Sequence, residues 1–258
     1  MQKQAILLAA GVGRRLASLD QQSPKCLLSF DGSSLLQRHL ENLVACGVTE
    51  CCIVVGHLAE QVEAAARAAA PNGLELSFAL NEDYRNGSVI SLKVGLEAAS
   101  EERDLVIMDA DVLYDTRVLS RLVDAAFKSG FLLDPRSESD GEEMMLGVAD
   151  GCVQRITRRI GPKWELIGEG VGFFKLQNDH RGALLAEIEA QLAAGNVKAD
   201  YEDAIDAYLH KHPAGFADVS DLPWTEIDFD EDVEHARNVI LPAIKRAGSG
   251  TQATAASL

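Results

Sequence analysis

Apolar residues in the first part of the chain fall into two alternating kinds of run. Short β-type runs stand at 4–9 (QAILLA), 51–56 (CCIVVG), 74–80 (LELSFAL) and 104–114 (DLVIMDADVLY). The run at 4–9 has no polar alternation, which predicts a central strand covered on both faces. Between the β-type runs lie segments with helical spacing at 35–46, 58–70 and 89–99, the first ended by Gly47 and the second by Pro71. Strands spaced by helices in this way predict a mostly parallel, doubly wound sheet. Beyond residue 130 the pattern changes. Runs at 131–134, 143–150, 152–159 and 170–176 follow one another closely, with Asp-Gly pairs at 140–141 and 150–151. Close strands joined by such turns predict an antiparallel extension of the sheet. Helices are expected at 179–194 and 201–210, a strand near 214–219 and a last helix near 230–240. No internal repeat is visible.

The expected fold is therefore α/β, a Rossmann-like doubly wound mixed sheet with an antiparallel extension. At 258 residues, this fits a single domain over 1–246. The small, polar end at 247–258 (AGSGTQATAASL) is expected to be a disordered tail.

Charge narrows the function classes. Forty acidic against twenty-four basic residues give a net charge of −16, which speaks against a nucleic-acid binder. It leaves room for a nucleotide substrate, because a few local cations and a metal can hold a triphosphate. The five cysteines show no CxxC spacing, so reduced, packed thiols are expected rather than disulfides or zinc ligands. No apolar run approaches the ~20 residues of a membrane span, and the start of the chain lacks a signal-peptide layout. A cytoplasmic protein without membrane insertion is the expectation.

Three stretches carry candidate chemistry. The first is LAAGVGRR followed by Pro24-Lys25. A Gly-rich loop leaving a central strand lies at the rim where open α/β sheets bind ligands. Gly11 and Gly13 let backbone N–H groups approach phosphate oxygens. Arg15 can clamp two oxygens and Lys25 adds a point charge; the plainer reading is a turn with exposed cations. The second is MDAD, with Asp109 and Asp111 after a buried strand. Two carboxylates there suit Mg²⁺, although a strand-end turn or helix cap also uses Asp. The third is WTEIDFDED at 224–232, where Asp228 is either a helix cap or a further metal ligand.

Together these stretches resemble the nucleotidylyltransferases with the Rossmann-like glycosyltransferase-A fold. Their LAAGxGxR signature and Pro-Lys pair match Leu8, Ala9, Ala10, Gly11, Gly13, Arg15, Pro24 and Lys25. Arg14 stands where a small hydroxyl residue is usual. Within that group the chain looks most similar to the bacterial phosphocholine cytidylyltransferases and their 2-aminoethylphosphonate relatives. NEDYRNGSVISL (81–92), FLLD (131–134) with DGEE (140–143), GEGVGFFKL (168–176), and DYEDAID (200–206) followed by EID (226–228) carry this.

The resemblance implies the following roles. The loop Leu8, Ala9, Ala10, Gly11, Gly13, Arg14 and Arg15, with Lys25, would hold the phosphates of CTP, Lys25 and Arg15 acting in catalysis. Asn81, Gly87 and Ser88 would border the base. Asp109 and Asp228, with Asp111 as a further candidate, would hold Mg²⁺. Asp200, Tyr201 and Glu226 would face the head group of a small phosphate or phosphonate acceptor. An alkylammonium head is attracted to an aromatic face and carboxylates, so the DYED stretch (200–203) and Glu226, with Trp224 and Trp164, are candidates for that cage. The alternatives are a sugar-1-phosphate or polyol-phosphate nucleotidylyltransferase, a DxD-type glycosyltransferase, and a silent nucleotide-binding regulator. His57, His210, His212, Cys51 and Cys52 are set aside as packing or helix-end residues; the RITRR stretch at 155–159 could touch an anionic ligand, but an exposed strand face is the plainer reading.

Overall fold

The computed structural model describes residues 2–13, 15–16, 23–137 and 141–247. Strand β1 (Lys3–Leu8) leads through the Gly-rich loop to a small hairpin, β2 (Ser29–Phe30) and β3 (Ser33–Ser34). Helix α1 (Leu35–Ala45), β4 (Glu50–Val55), α2 (Ala59–Ala69), β5 (Glu75–Leu80), α3 (Ser88–Ala98) and β6 (Asp104–Asp109) complete the alternating part. Next come β7 (Val112–Tyr114), α4 (Thr116–Val123), β8 (Gly130–Asp134), β9 (Met145–Ala149), β10 (Cys152–Thr157) and β11 (Leu166–Leu176). The chain closes with α5 (Arg181–Ala193), α6 (Tyr201–Leu209), β12 (Gly215–Asp218), β13 (Trp224–Glu226) and α7 (Asp230–His235). A π-helical turn over Ala236–Ile240 then joins α7 to helix at 241–247. Apart from Ala247, the expected tail lies outside the described residues, as does Arg14.

Among the described residues, the main sheet runs β10-β9-β11-β6-β1-β4-β5, with β8 paired to β11 and β12. Strands β6, β1, β4 and β5 are parallel, and β11 joins β6 antiparallel. The fold is the Rossmann-like mixed sheet with an antiparallel extension. Side-chain alternation on β1 divides the core. Ala5 and Leu7 pack with Leu36, Leu40 and Leu119 on one face, and Ile6 packs with Leu92, Leu96 and Ile205 on the other.

Two differences from the pattern-based reading matter for the site. The expected strand at 104–114 is two strands. It leaves the main sheet after Asp109, and β7 pairs antiparallel with β13 instead. Apolar residues flank both sides of the Asp-Ala-Asp step, so the hydrophobic pattern does not mark the break. The second is α4, which that reading left unassigned. Two turns are too few for a helical period to stand out, although Asp115 caps the helix through its side chain. The strand expected from residue 170 begins earlier, at Leu166, and a register shift lies between Gly170 and Phe174.

Candidate active site

The carboxyl ends of β1 and β6 open onto a cleft of about 390 Å³. The Gly-rich loop forms one wall. It is held to β4 by Ala9 N–H donating to Val54 O (2.9 Å) and by His57 N–H donating to Ala10 O (3.1 Å). Gly13 has φ +65°, a left-handed conformation that glycine adopts without a Cβ penalty. Leu8, Ala9, Ala10, Gly11, Gly13, Arg15 and Lys25 all line the cleft.

Lys25 sits in a 3₁₀ turn immediately after Pro24. Its ammonium donates to Asp111 Oδ2 at 2.8 Å and to Asp228 Oδ1 at 2.6 Å. Burial alone would lower its pKa, but the two flanking carboxylates overcome this and hold it above the ordinary lysine value. Arg15 is more open. Its Nη1 lies 3.2 Å from Glu142 Oε2 and 3.1 Å from Asp228 Oδ2, with the guanidinium over the Phe229 ring.

The opposite wall is acidic. Asp111, Glu226 and Asp228 bring carboxylate oxygens within 4.8 Å of one another. The pairing of β7 with β13 makes this possible, since it sets the turn after Asp109 beside the end of β13. A backbone bond from Ile227 N–H to Asp111 O (3.0 Å) fixes the register. Asp109 stands beside this trio, on the last residue of β6, and accepts a hydrogen bond from Tyr201 Oη at 2.6 Å. Burial raises the pKa of Asp109, and the charges of Asp111 and Glu202 push it further. Glu226 is raised in the same way, by burial and then by Asp111 and Asp228. Glu202 is pushed up to about 8, mainly by burial. Gathering acids in this way disfavours their charged forms unless a cation joins them.

The donor set fits a hard divalent cation. The trio offers only carboxylate oxygens, the ligands Mg²⁺ takes. Asp111 Oδ1 is also buried with no hydrogen-bond partner among the described residues, and a buried oxygen without a partner is costly.

A smaller compartment opens beside the first. Its apolar wall includes Phe131, Met144, Ile156 and Phe174, and its polar rim includes Tyr201, Glu202, Glu226 and Arg158. Asp200 caps α6 in a reciprocal arrangement with Asp203, and its carboxylate is ion-paired with Arg158. Tyr201 N–H donates to Ser88 Oγ (2.8 Å), which ties α6 to the start of α3. Gly87 and Ser88 line the larger compartment, together with Tyr84, Arg85 and Asn86.

Not every expected residue reaches the cleft. Asn81 is only 1% exposed and lies behind it. Its amide donates to Ser91 Oγ and its Oδ1 accepts from Asp83 N–H, so it braces the loop. Trp224 is buried and gives its indole N–H to Asp134 Oδ2 at 3.0 Å. Trp164 packs over Gly147 and lines a separate depression. Neither tryptophan forms a cage here. Conversely, the sequence reading gave Glu142 and Gly172 no role, took Glu202 only as part of the DYED stretch, and set Arg158 aside. Gly172 has φ +79°, and a Cβ there would fall 2.6 Å from Asp109 Oδ2. The GVG step in β11 was its signal, while Arg158 was hidden in the basic run that looked like an exposed strand face. All five cysteines are free, with Cys26, Cys51 and Cys52 buried. Among the described residues no helix is long and apolar enough to cross a membrane.

Comparison with known proteins agrees with this architecture. A CMP-5'-(3-aminopropyl)phosphonate synthase from Streptomyces rubellomurinus is 27% identical over 245 residues, covering 87% of this chain and 36% of that protein. The chain thus spans about a third of that relative's length. A CTP:phosphoglutamine cytidylyltransferase from Campylobacter jejuni is 22% identical over 251 residues, covering 89% of this chain and 97% of the relative. Among solved structures, the CTP:phosphocholine cytidylyltransferase of Streptococcus pneumoniae superposes with a TM-score of 0.75 at 20% identity, covering 93% of this chain and 99% of that one. The inositol-1-phosphate CTP transferase of T. maritima gives 0.77 at 20% identity, covering 95% and 96%. The family model described as the MobA-like NTP transferase domain matches residues 5–163, and with the Gly-rich loop and acidic rim in place the chain belongs to that family.

Proposed function

We propose that this protein is a Mg²⁺-dependent cytidylyltransferase that transfers CMP from CTP to a small, amine-bearing phosphonate or phosphate monoester. The observation that carries this reading is the carboxylate trio with its orphaned Asp111 oxygen, facing the Gly-rich loop across one cleft. The names of the Streptomyces and Campylobacter relatives support CTP as donor and an amine-bearing acceptor. The acids Asp109, Glu142, Glu202, Glu226 and Asp228 around the smaller compartment favour a cationic head over a neutral sugar.

An acceptor oxygen would attack the α-phosphorus of CTP in line. The new P–O bond forms as the bond to the bridging oxygen breaks, and pyrophosphate leaves with that electron pair. The acceptor is a dianion near neutral pH, so no proton has to be removed. What the protein supplies is placement and charge. The Gly-rich loop offers N–H groups to the triphosphate. Lys25 and Arg15 neutralise charge on the α-phosphate and the leaving group. Tyr201 orients Asp109 through its hydroxyl. Asp111, Glu226 and Asp228, with Asp109 beside them, would hold Mg²⁺, which supplies Lewis-acid stabilisation of phosphoryl oxygens when bound.

The test is pyrophosphate release from CTP with Mg²⁺, across 2-aminoethylphosphonate, 3-aminopropylphosphonate, phosphocholine, alkyl phosphonates and sugar-1-phosphates, with ATP and UTP as controls. Release with CTP and an amine-bearing acceptor is expected. Release only with sugar phosphates would remove the acceptor assignment, and no release with any pair would remove the reading as a whole.

A further inference from the structure

The cleft has cations on one wall that the phosphates of CTP would occupy. On the other wall, Arg158 stands where the two compartments meet. It follows β10, in the run the sequence reading set aside. Of the cleft-lining cations, Lys25 and Arg85 touch only the larger compartment, whereas Arg15 and Arg158 touch both. Arg15 belongs to the Gly-rich loop and already contacts Glu142 and Asp228. Arg158 is held from behind. Its Nε donates to Glu142 O at 3.1 Å and its Nη1 to the Asp200 carboxylate. Those contacts fix the guanidinium plane and leave Nη2 without a hydrogen bond among the described residues.

An acceptor that reacts with the α-phosphate must place its own anionic group at this junction, with the rest of the molecule in the smaller compartment. That compartment is rich in carboxylates, which repel a dianion. It therefore needs a fixed cation on the acceptor side, and a planar, pre-set guanidinium grips two oxygens of a phosphonate at once. Resting on the functional reading above, we propose that Arg158 binds the phosphonate or phosphate group of the acceptor, and that Asp200 is the residue that positions it. Asp200 is then not a direct contact to the head group. It is tied up by Arg158 and by the cap of α6, which leaves Glu202 to face the amine.

The experiment is a two-substrate steady-state analysis of the whole chain, with CTP and the best acceptor varied separately. Arg158→Ala should raise the acceptor KM tenfold or more while the CTP KM stays within about twofold. Arg158→Lys should recover part of the loss, because it keeps the charge but not the fork. Added guanidinium ion should restore part of the Arg158→Ala activity, an effect a purely structural role would not give. Asp200→Asn should raise the acceptor KM by a smaller factor and leave the CTP KM alone. An unchanged acceptor KM in Arg158→Ala, or an equal rise in both KM values, would overturn the assignment. If Arg158→Ala does not fold, Arg158→Lys carries the test by the same criterion. The two levels of the account fail differently: a wild-type enzyme that turns over no acceptor removes the functional reading, and an active wild type with an indifferent Arg158 removes only this inference.

Discussion

The two walls of the cleft are built on different principles. The Gly-rich loop follows β1, a parallel strand buried on both faces, and with Lys25 it forms the first wall, inside the segment that matches the family model. On the acidic wall, Asp109, Asp111 and Arg158 also fall inside that segment, whereas Asp200, Tyr201, Glu202, Glu226 and Asp228 come after residue 163, from α6, β13 and the turn before α7. The first wall offers backbone N–H groups and cations suited to any nucleoside triphosphate. The second offers acids, one tyrosine hydroxyl and the Arg158 guanidinium, arranged around a small compartment. On the function proposed above, a shared frame would handle the triphosphate, and the acidic wall, built mostly from a later part of the chain, would select what it is joined to. Asp228 crosses the division, because Lys25 reaches over to it.

The strongest way to break this division is to remove its bridge. Lys25→Ala should lower turnover by ~100-fold or more, the size seen when a positioned electrostatic donor is lost. Steady-state kinetics would show it, with circular dichroism to confirm folding. Near-normal turnover would place Lys25 outside the chemistry. Chelating divalent cations should likewise abolish turnover. Asp111→Asn should raise the Mg²⁺ or Mn²⁺ concentration at half-saturation by roughly tenfold or more, as losses around metal sites do, and Mn²⁺ binding followed by electron paramagnetic resonance checks this without turnover. Glu202→Gln should act only on the second wall. The acceptor KM should rise about tenfold, the size of one charge-assisted hydrogen bond (~1.5 kcal/mol), with the CTP KM unchanged.

Smaller effects probe how the frame supports the site. Gly172→Ala places a Cβ against Asp109 in a left-handed backbone, at a cost of about 1–3 kcal/mol. Denaturant unfolding would measure that, together with a loss of turnover. The last test is His39, which is fully buried between Tyr114 and Phe173 behind the site. Burial pushes its pKa down to about 3. A folded pKa below the unfolded one means that the unfolded state binds the proton first. Stability should therefore fall as pH drops below the ordinary value of ~6.5, and continue falling until about 3. From pH 7 to 6 this group alone contributes roughly 0.7 kcal/mol, which His39→Phe should remove from the measured pH dependence.

How much of this was legible in the sequence also differs between the walls. The parallel strands announce themselves because burial on both faces leaves uninterrupted apolar runs, and the loop after β1 carries its glycines and cations in order. Asp111 was harder. The pattern treats MDADVLY as one strand, and only long-range pairing of β7 with β13 shows why the chain turns at Asp109. That pairing also brings Glu226 into the carboxylate trio, where the resemblance had implied a head-group role. Glu202 sits in a helix whose apolar positions explain the fold without it. Arg158 sits in a basic run that looks like any solvated strand end. Such residues acquire meaning from partners far along the chain, such as Asp200 for Arg158, and hydrophobic periodicity carries no information about those. Asn81 and Trp224 show the converse, since each looked like a ligand contact and instead spends its polar atoms inside the protein.

The most direct test of the central claim is ³¹P NMR of the protein with CTP, Mg²⁺ and 2-aminoethylphosphonate or 3-aminopropylphosphonate. The account predicts that CTP resonances are replaced by pyrophosphate and by the coupled pair of a phosphonate–phosphate anhydride in equal amounts. CTP left intact with both acceptors and with phosphocholine, or hydrolysed to CDP and phosphate, would contradict it.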